Sequence, residues 1–520
     1  MDVSKVTMAL RFLVVEKIIG TCAILVLLLA VWRLIYNIFF HPLRSYPGPL
    51  LYRASRLSYI FTQLQGKLPF KVLEWSNKYG PVIRIAPDEL AYTHPDAWQN
   101  IYGHYTGAKV GGHEEFPKSP ATYQTKGIQV SIAGDVRDRH RKLRRQLAPI
   151  FSERAIRDQE VIIDKYVSLL IKRLHEYCED EISYADGEAR PGRKKTRPNR
   201  LDLRAWYNWT TFDIIGDMSY GESFGCLEKA AYDPWVADIT ETVRSGPEMQ
   251  AFKLLGLEDL LVLGYRWQWL FSARTEHEKR VEQKLNRRIA LGTKRNDFLA
   301  PLIENKHDWD RGTIRSNAAV LTIAGSETTA TTLCGVTFLL LNSPECLQRL
   351  TEEVRTTFDS EEEINMTSVG KLTYMIACLN ESLRRYPPVP TGMPRVVPKG
   401  GATIVDQFVP EGMVVSVWQW AMYHSTKNFK EPFKFNPDRL LNSNTEDKVD
   451  TLQPFSIGPR NCIGRNLAFG EMKFILARIL WNFDMELATG SEDWMEQQKA
   501  YFLWLKPELP VYLKPVRRKV

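Results

Sequence analysis

The sequence predicts a mostly α-helical protein with small β-sheets, arranged as one large domain behind an N-terminal transmembrane helix. Three observations predict it. Residues 18–40 are almost wholly apolar, with Arg33 and Asn37 the only strongly polar members. Helical patterning then dominates over residues 206–220, 313–341, 344–358, 372–386 and 466–481, whereas β-like runs bounded by turn residues are short, at 82–85, 402–405 and 413–417. No Gly/Ser linker, repeat or composition break divides the 520 residues, so residues 41–520 read as a single unit.

The apolar stretch comes first. At a rise of about 1.5 Å per residue, residues 18–40 cross a hydrocarbon core of about 30 Å, and Arg33 can snorkel to the interface. A cleaved signal peptide is the competing reading, but the apolar region is long and no small-residue cleavage site precedes the basic flank. Residues 1–40 are therefore expected to be a retained anchor. Arg44, Arg53 and Arg56 follow the span without a nearby acid, while Lys5, Arg11 and Lys17 before it are offset by Asp2 and Glu16. That asymmetry places the C-terminal bulk in the cytosol. Pro42, Pro47, Gly48 and Pro49 then form a stiff bend.

Composition agrees. The 69 Lys+Arg against 61 Asp+Glu give a net charge of +8, and 44% of residues are hydrophobic, which excludes a disordered, collagenous or coiled-coil chain. The one dense basic stretch, Arg193, Lys194, Lys195 and Arg197, lies among Pro and Gly and reads as solvated loop, so nucleic acid is not an expected partner. Seven dispersed cysteines without a C-x-x-C pair fit a reducing compartment and neither a disulfide framework nor a zinc site.

A second apolar stretch, residues 318–341, carries Glu327 and a dense set of hydroxyl residues (Thr322, Ser326, Thr328, Thr329, Thr331, Thr332). It suits a buried helix facing a polar cavity better than lipid. The helix is expected over 313–341, ended by Asn342-Ser343-Pro344, with Ser343 as cap of the next helix and Pro344 as its first residue. Gly325 within it costs about 1 kcal/mol against Ala, so something is expected to approach the backbone there.

The chemistry is concentrated in Phe455-Ser-Ile-Gly458-Pro-Arg460-Asn-Cys462-Ile-Gly464. A lone cysteine is by default a small buried hydrophobe. Here its neighbours suit a thiolate that ligates haem iron, because such a ligand needs backbone N–H groups near the sulfur to moderate its charge. Gly458 supplies a tight turn, Gly464 lets the next helix start lie against a porphyrin, Phe455 covers the sulfur, and Arg460 suits a propionate. A helix beginning after Cys462 aims its positive end at the thiolate.

The F-x-x-G-x-R-x-C-x-G pattern resembles that of the cytochrome P-450 haem-thiolate monooxygenases. Three further motifs recur in that family's order: Glu381-Ser-Leu-Arg384, Phe435-Asn-Pro-Asp-Arg439 and Ala324-Gly325-Ser-Glu327-Thr328. The resemblance implies the P-450 fold, haem b (iron protoporphyrin IX) ligated by Cys462, and a buried network of Glu381, Arg384 and Arg439. It further implies dioxygen bound beside Ala324 and Gly325, with Glu327 and Thr328 relaying protons, and His140, Arg144 and Arg395 at haem propionates. The implied reaction inserts one oxygen atom of O₂ into a hydrophobic substrate. No G-x-G-x-x-G fingerprint or flavin domain occurs, so the implied partner is a membrane-bound NADPH-cytochrome P-450 reductase, docking on Arg141, Lys142, Arg145, Arg465 and Lys473. The implied form is a monomer, single-pass in the endoplasmic reticulum membrane.

Residues 36–44, 206–213 and 323–330 are similar to the filamentous-fungal secondary-metabolite group that includes isotrichodermin C-15 hydroxylase. That likeness implies a polyketide or terpenoid substrate in a biosynthetic, even mycotoxin, pathway. Substrate contacts are expected from residues 109–129, the helix face at Ala324, residues 389–393 and a late hairpin at Tyr501-Phe502. Two rivals stay open at this point, a reductase-independent haem-thiolate isomerase or dehydratase and a catalytically silent haem binder.

Overall fold

Asp310 sets the start of the longest interior helix. Its carboxylate accepts the Thr313 N–H at 2.8 Å and caps Arg311–Leu341, two residues earlier than the hydropathy pattern predicts. From Thr329 to Leu340 every residue is buried, so this stretch is apolar on all sides because it runs through the domain and not through lipid. The computed structural model describes residues 3–104, 115–126, 129–185, 200–260, 272–292, 295, 297–305, 308–442 and 445–516. The basic stretch at 193–197 and residues 109–114 and 127–128 of the expected substrate loop lie outside them.

The helix Leu203–Tyr220 packs along the interior helix and is itself buried almost throughout. Asp202 caps it and Gly221, at φ 74°, ends it. Tyr207 and Thr337 share a hydrogen bond of 2.8 Å across the pair. The expected helices are found as Pro344–Thr357, Thr373–Arg385 and Arg465–Asn482, each within a residue or two of its predicted bounds. Ser343 does not cap with its side chain; Pro344 opens the helix without it.

The sheets are small. Val82–Ala86, Glu89–Tyr92, Val414–Val417 and Arg395–Val396 form one of four strands, with Glu89–Tyr92 parallel to Val414–Val417 and the other pairs antiparallel. Ala402–Ile404 and Gln407–Val409 form a hairpin, and Lys499–Ala500 pairs with Trp504–Leu505 around Tyr501-Phe502. Arg200–Asp202, Pro510–Pro515 and Phe483–Leu487 form a three-stranded sheet.

At the N-terminus a single helix, Val3–Phe39, contains a span, Leu13–Phe39, of mean hydropathy 2.5. It is long and apolar enough to cross a membrane. Its last turn belongs to the domain: Asn37 is buried, and its side-chain amide donates to the Ala54 carbonyl at 2.7 Å. This explains one of the two polar residues that interrupt the apolar run.

Candidate active site

Glu381 and Arg384, one turn apart on Thr373–Arg385, are completely buried and joined twice, at 2.8 and 2.9 Å. Arg439 adds its Nε–H to Glu381 at 3.1 Å and pairs with Asp447. The remaining Arg384 donors reach the carbonyls of Tyr423 at 2.8 Å, Pro432 at 2.7 Å and Lys434 at 3.1 Å. The Asn436 N–H also donates to Glu381, at 3.0 Å. Every charge is met by hydrogen bonds, the condition under which a buried network fixes a loop instead of destabilising it.

That loop leads to Cys462. Gly458 has φ 75°, and a Cβ built there would lie 1.8 Å from the Tyr102 carbonyl oxygen, so only glycine fits this turn. The Cys462 N–H donates to the Phe455 carbonyl at 2.9 Å, closing the loop on itself. Phe455 packs on Phe469 with ring centroids 5.2 Å apart. Arg144, on the helix Arg137–Leu147, donates to the Asn461 carbonyl at 2.7 Å and to its side-chain oxygen. The Cys462 side chain is accessible, yet burial by surrounding protein pushes its thiol pKa up, opposed by the Gly464 N–H and by Arg144 and Arg465. Arg465–Asn482 begins three residues on, and at Gly464 an added Cβ would touch only Phe151, at 3.9 Å.

Beside the loop lies a buried group of cations. Arg460 pairs with Glu115 and donates to the Asp135 carbonyl at 2.8 Å; Arg395 donates to the Phe116 carbonyl at 3.0 Å and lies 4.0 Å from Glu115. Burial, then Arg460 and Arg144, pushes His140 down to about 4. Burial, with Arg395 and Arg460, holds Lys118 well below its ordinary value. The Arg395 Nε and the Tyr123 hydroxyl are buried without hydrogen-bond partners among the described residues. Two guanidiniums, Arg460 and Arg395, face the one carboxylate of Glu115, so among the described residues this corner is short of negative charge.

On the interior helix Ala324 is exposed, while Ser326, Glu327 and Thr329 around it are buried, and the Thr328 hydroxyl donates to the Ala324 carbonyl at 2.7 Å. The close approach expected at Gly325 includes one from within the protein. A Cβ there would meet Ile215 Cδ1 at 2.5 Å, so glycine serves the packing of Leu203–Tyr220. A cavity of about 510 Å³ is lined by Thr122, Tyr123 and Gln129, by Ala319, Val320 and Ile323 on the helix, by Thr391 and Gly392, and by Tyr501 and Phe502. Residues of the 109–129, 389–393 and Tyr501-Phe502 segments reach it as expected, whereas on the interior helix the lining comes from Ala319, Val320 and Ile323 and not from Ala324 itself.

Sequence reading missed Lys506, whose ammonium pairs with Glu327 at 2.9 Å, and Glu115, the carboxylate among the cations. Neither has a local signal: Lys506 lies 179 residues from Glu327 and Glu115 lies 345 from Arg460. Of the expected docking residues Arg141, Arg145 and Arg465 are exposed, but Lys142 is paired with Asp308 at 2.9 Å. Lys473 is half-buried with its pKa lowered by burial, which unsuits it to a charged surface.

The family model for cytochrome P450 matches residues 54–515. The chain is 44% identical over 488 residues to the cytochrome P450 monooxygenase tpeC of Talaromyces stipitatus, covering 93% of this chain and 92% of the relative. It is 39% identical over 497 residues to the trichothecene C-15 hydroxylase of Fusarium sporotrichioides (92% and 95% covered) and 39% identical over 523 residues to the averantin hydroxylase of Dothistroma septosporum (99% and 94%). A thiol-bearing loop at a helix start, anchored by buried arginines within a mainly helical domain, defines an oxygen-incorporating oxidoreductase of the haem-thiolate class. The chain belongs to the cytochrome P450 family, whose members bind haem. The residues present fit that group: an accessible thiol for the iron, open space at Gly464 where a Cβ would intrude, and unneutralised cations for its two carboxylates.

Proposed function

We propose that this protein is a membrane-anchored monooxygenase of fungal secondary metabolism, with Cys462 as the residue that would ligate its haem iron. Its substrate is a hydrophobic polyketide or terpenoid intermediate, and its electrons come from NADPH through a cytochrome P450 reductase. The observation that carries this reading is the Cys462 loop, where an accessible thiol at the start of a helix is met by the Gly464 N–H, Arg144 and Arg465. Haem supplies the activation of O₂, for the overall change R–H + O₂ + NADPH + H⁺ → R–OH + H₂O + NADP⁺.

The chain's own residues divide the remaining work. Phe455 and Gly458 shape the proximal loop, and the Gly464 N–H and the helix start stabilise the thiolate. Arg460, Arg395 and His140 meet the propionates, and Arg144 acts on the same side chiefly through Asn461. Ala324, exposed on the interior helix, and Gly325 would lie beside bound dioxygen, where the small side chain at 324 would leave room for it. Glu327 and Thr328 deliver protons there. The cavity, with more apolar than polar lining, excludes water from a neutral ring system. Residues 1–40 hold the domain, 41–520, on the cytosolic face of the endoplasmic reticulum as a single-pass monomer. The relatives named for trichothecene and averantin hydroxylation favour a polyketide or terpenoid, in a mycotoxin-type pathway.

Microsomes carrying the protein, titrated with a panel of polyketide and terpenoid intermediates, should show conversion of the iron from low to high spin with one member, and that member should be oxygenated with NADPH and reductase. Conversion without NADPH would instead establish an isomerase or dehydratase.

A further inference from the structure

The acid and the alcohol of the Glu327-Thr328 pair look in different directions. Glu327 and Thr331 lie one turn apart on the interior helix and are both buried, and the Lys506 ammonium bridges them, donating to Glu327 Oε2 at 2.9 Å and to Thr331 Oγ1 at 2.7 Å. Lys506 is itself only 8% exposed. Thr328, rotated by about 100° around the helix, is half-buried and lies on the side of the exposed Ala324, to whose carbonyl it donates.

Lys506 is held from behind. It follows the strand Trp504–Leu505, and Arg204 donates to its carbonyl at 3.1 Å while pairing with Asp202 at 2.8 Å. The groups facing Glu327 are the Lys506 ammonium, the phenols of Tyr232 and Tyr386 and the Cys334 thiol, with Arg204 and Asp202 balancing one another nearby. Lys506 is thus the cation in direct contact with this carboxylate among the described residues.

We propose that Lys506 is a positioning residue for proton delivery: it keeps the Glu327 carboxylate turned away from Thr328, and protons pass through Glu327 to the Thr328 side only when this ion pair opens. The proposal rests on the reading of Glu327 and Thr328 as the proton-relaying pair. Its consequence is measurable without the substrate. O₂ taking two electrons and two protons leaves as H₂O₂, at one NADPH each; O₂ taking four electrons and four protons leaves as two waters, at two NADPH. Proton delivery sets the share of each route, so NADPH oxidised per H₂O₂ released reports it.

The test uses full-length holoenzyme with cytochrome P450 reductase in phospholipid vesicles, without added substrate, from pH 6 to 8, and the red-shifted Soret band of the ferrous–CO complex reports intact haem ligation. Removing the Lys506 ammonium leaves the Glu327 carboxylate buried without a partner charge. Relative to wild type, Lys506→Gln should therefore make the NADPH to H₂O₂ ratio change about threefold or more across this range. Lys506→Arg should restore the wild-type profile. The neutral pair Glu327→Gln/Lys506→Gln should match Glu327→Gln alone, and it decides the matter if Lys506→Gln fails to load haem. A difference between those two, or a Lys506→Gln profile that overlays wild type while Glu327→Gln shifts it, overturns the role of Lys506 and leaves the relay standing. A Glu327→Gln profile that overlays wild type overturns the relay reading itself.

Discussion

Arg144 grips Asn461, the residue immediately before Cys462, donating to its carbonyl at 2.7 Å and to its side-chain oxygen as well. The helix Arg137–Leu147 and the cysteine loop are joined at the point where the sulfur must be placed. Losing charge-assisted hydrogen bonds of this kind costs about 1.5 to 3 kcal/mol each. Arg144→Ala should therefore release haem at least about tenfold faster into apomyoglobin, with an unshifted CO band in the fraction still loaded. A release rate equal to wild type would mean that the loop holds its shape without the clamp.

Cys462→Ser should abolish the red-shifted Soret band of the ferrous–CO complex, because only a thiolate trans to CO donates enough electron density to produce it. Haem content should fall less than the band, since the cations around Arg460 and Arg395 remain. Retention of the band would reassign the ligand.

The parts of this site that the sequence made legible are those carried by short spacing. Glu381 and Arg384 share a helix face by being three residues apart, and Gly458, Arg460, Cys462 and Gly464 act within one loop. The helices were legible because apolar periodicity and Pro or Gly punctuation set them, with starts missing by two residues at the Asp310 cap and by three at the Asp202 cap. What sequence reading could not supply is long-range pairing. Lys506 against Glu327, Glu115 against Arg460 and Asn37 against Ala54 have no local pattern. Gly325 was read as a place of close approach, and one group that approaches it is Ile215, a neighbour visible only once two helices are packed.

Glu471, buried on Arg465–Asn482, makes stability depend on pH. Burial pushes its carboxyl up from 4.5 to about 8, so the folded chain keeps a proton that the unfolded chain releases. Its contribution is fully present below about pH 4.5, falls as pH rises, and is lost by about pH 8, a change on the order of 2 to 4 kcal/mol. Glu471→Gln, neutral throughout, should unfold several degrees above wild type at pH 8, with the gap closing toward pH 5. Parallel melting curves at both pH values would show that Glu471 is ionised in the folded chain.

On the proposed reading the N-terminal helix and the electron supply are coupled through concentration. Asn37 packs into the domain, so a truncation that removes residues 1–33 spares that contact. The truncated protein should bind haem and give the wild-type CO band, because the Cys462 loop and the buried arginines all lie beyond it. Its NADPH consumption at dilute, membrane-bound reductase should nonetheless fall by about tenfold or more, since two proteins held on one membrane meet at a far higher effective concentration than two that meet by diffusion. Excess soluble reductase should close that gap. Charge reversal at Arg141 or Arg145, both exposed on the helix behind the cysteine loop, should widen it, most of all at low salt where the field of a basic face is least screened. Lys142 and Lys473 should matter less, one paired with Asp308 and the other half-buried. Loss of haem on truncation would make the N-terminal helix part of the fold, and full turnover at dilute reductase would remove it from electron supply.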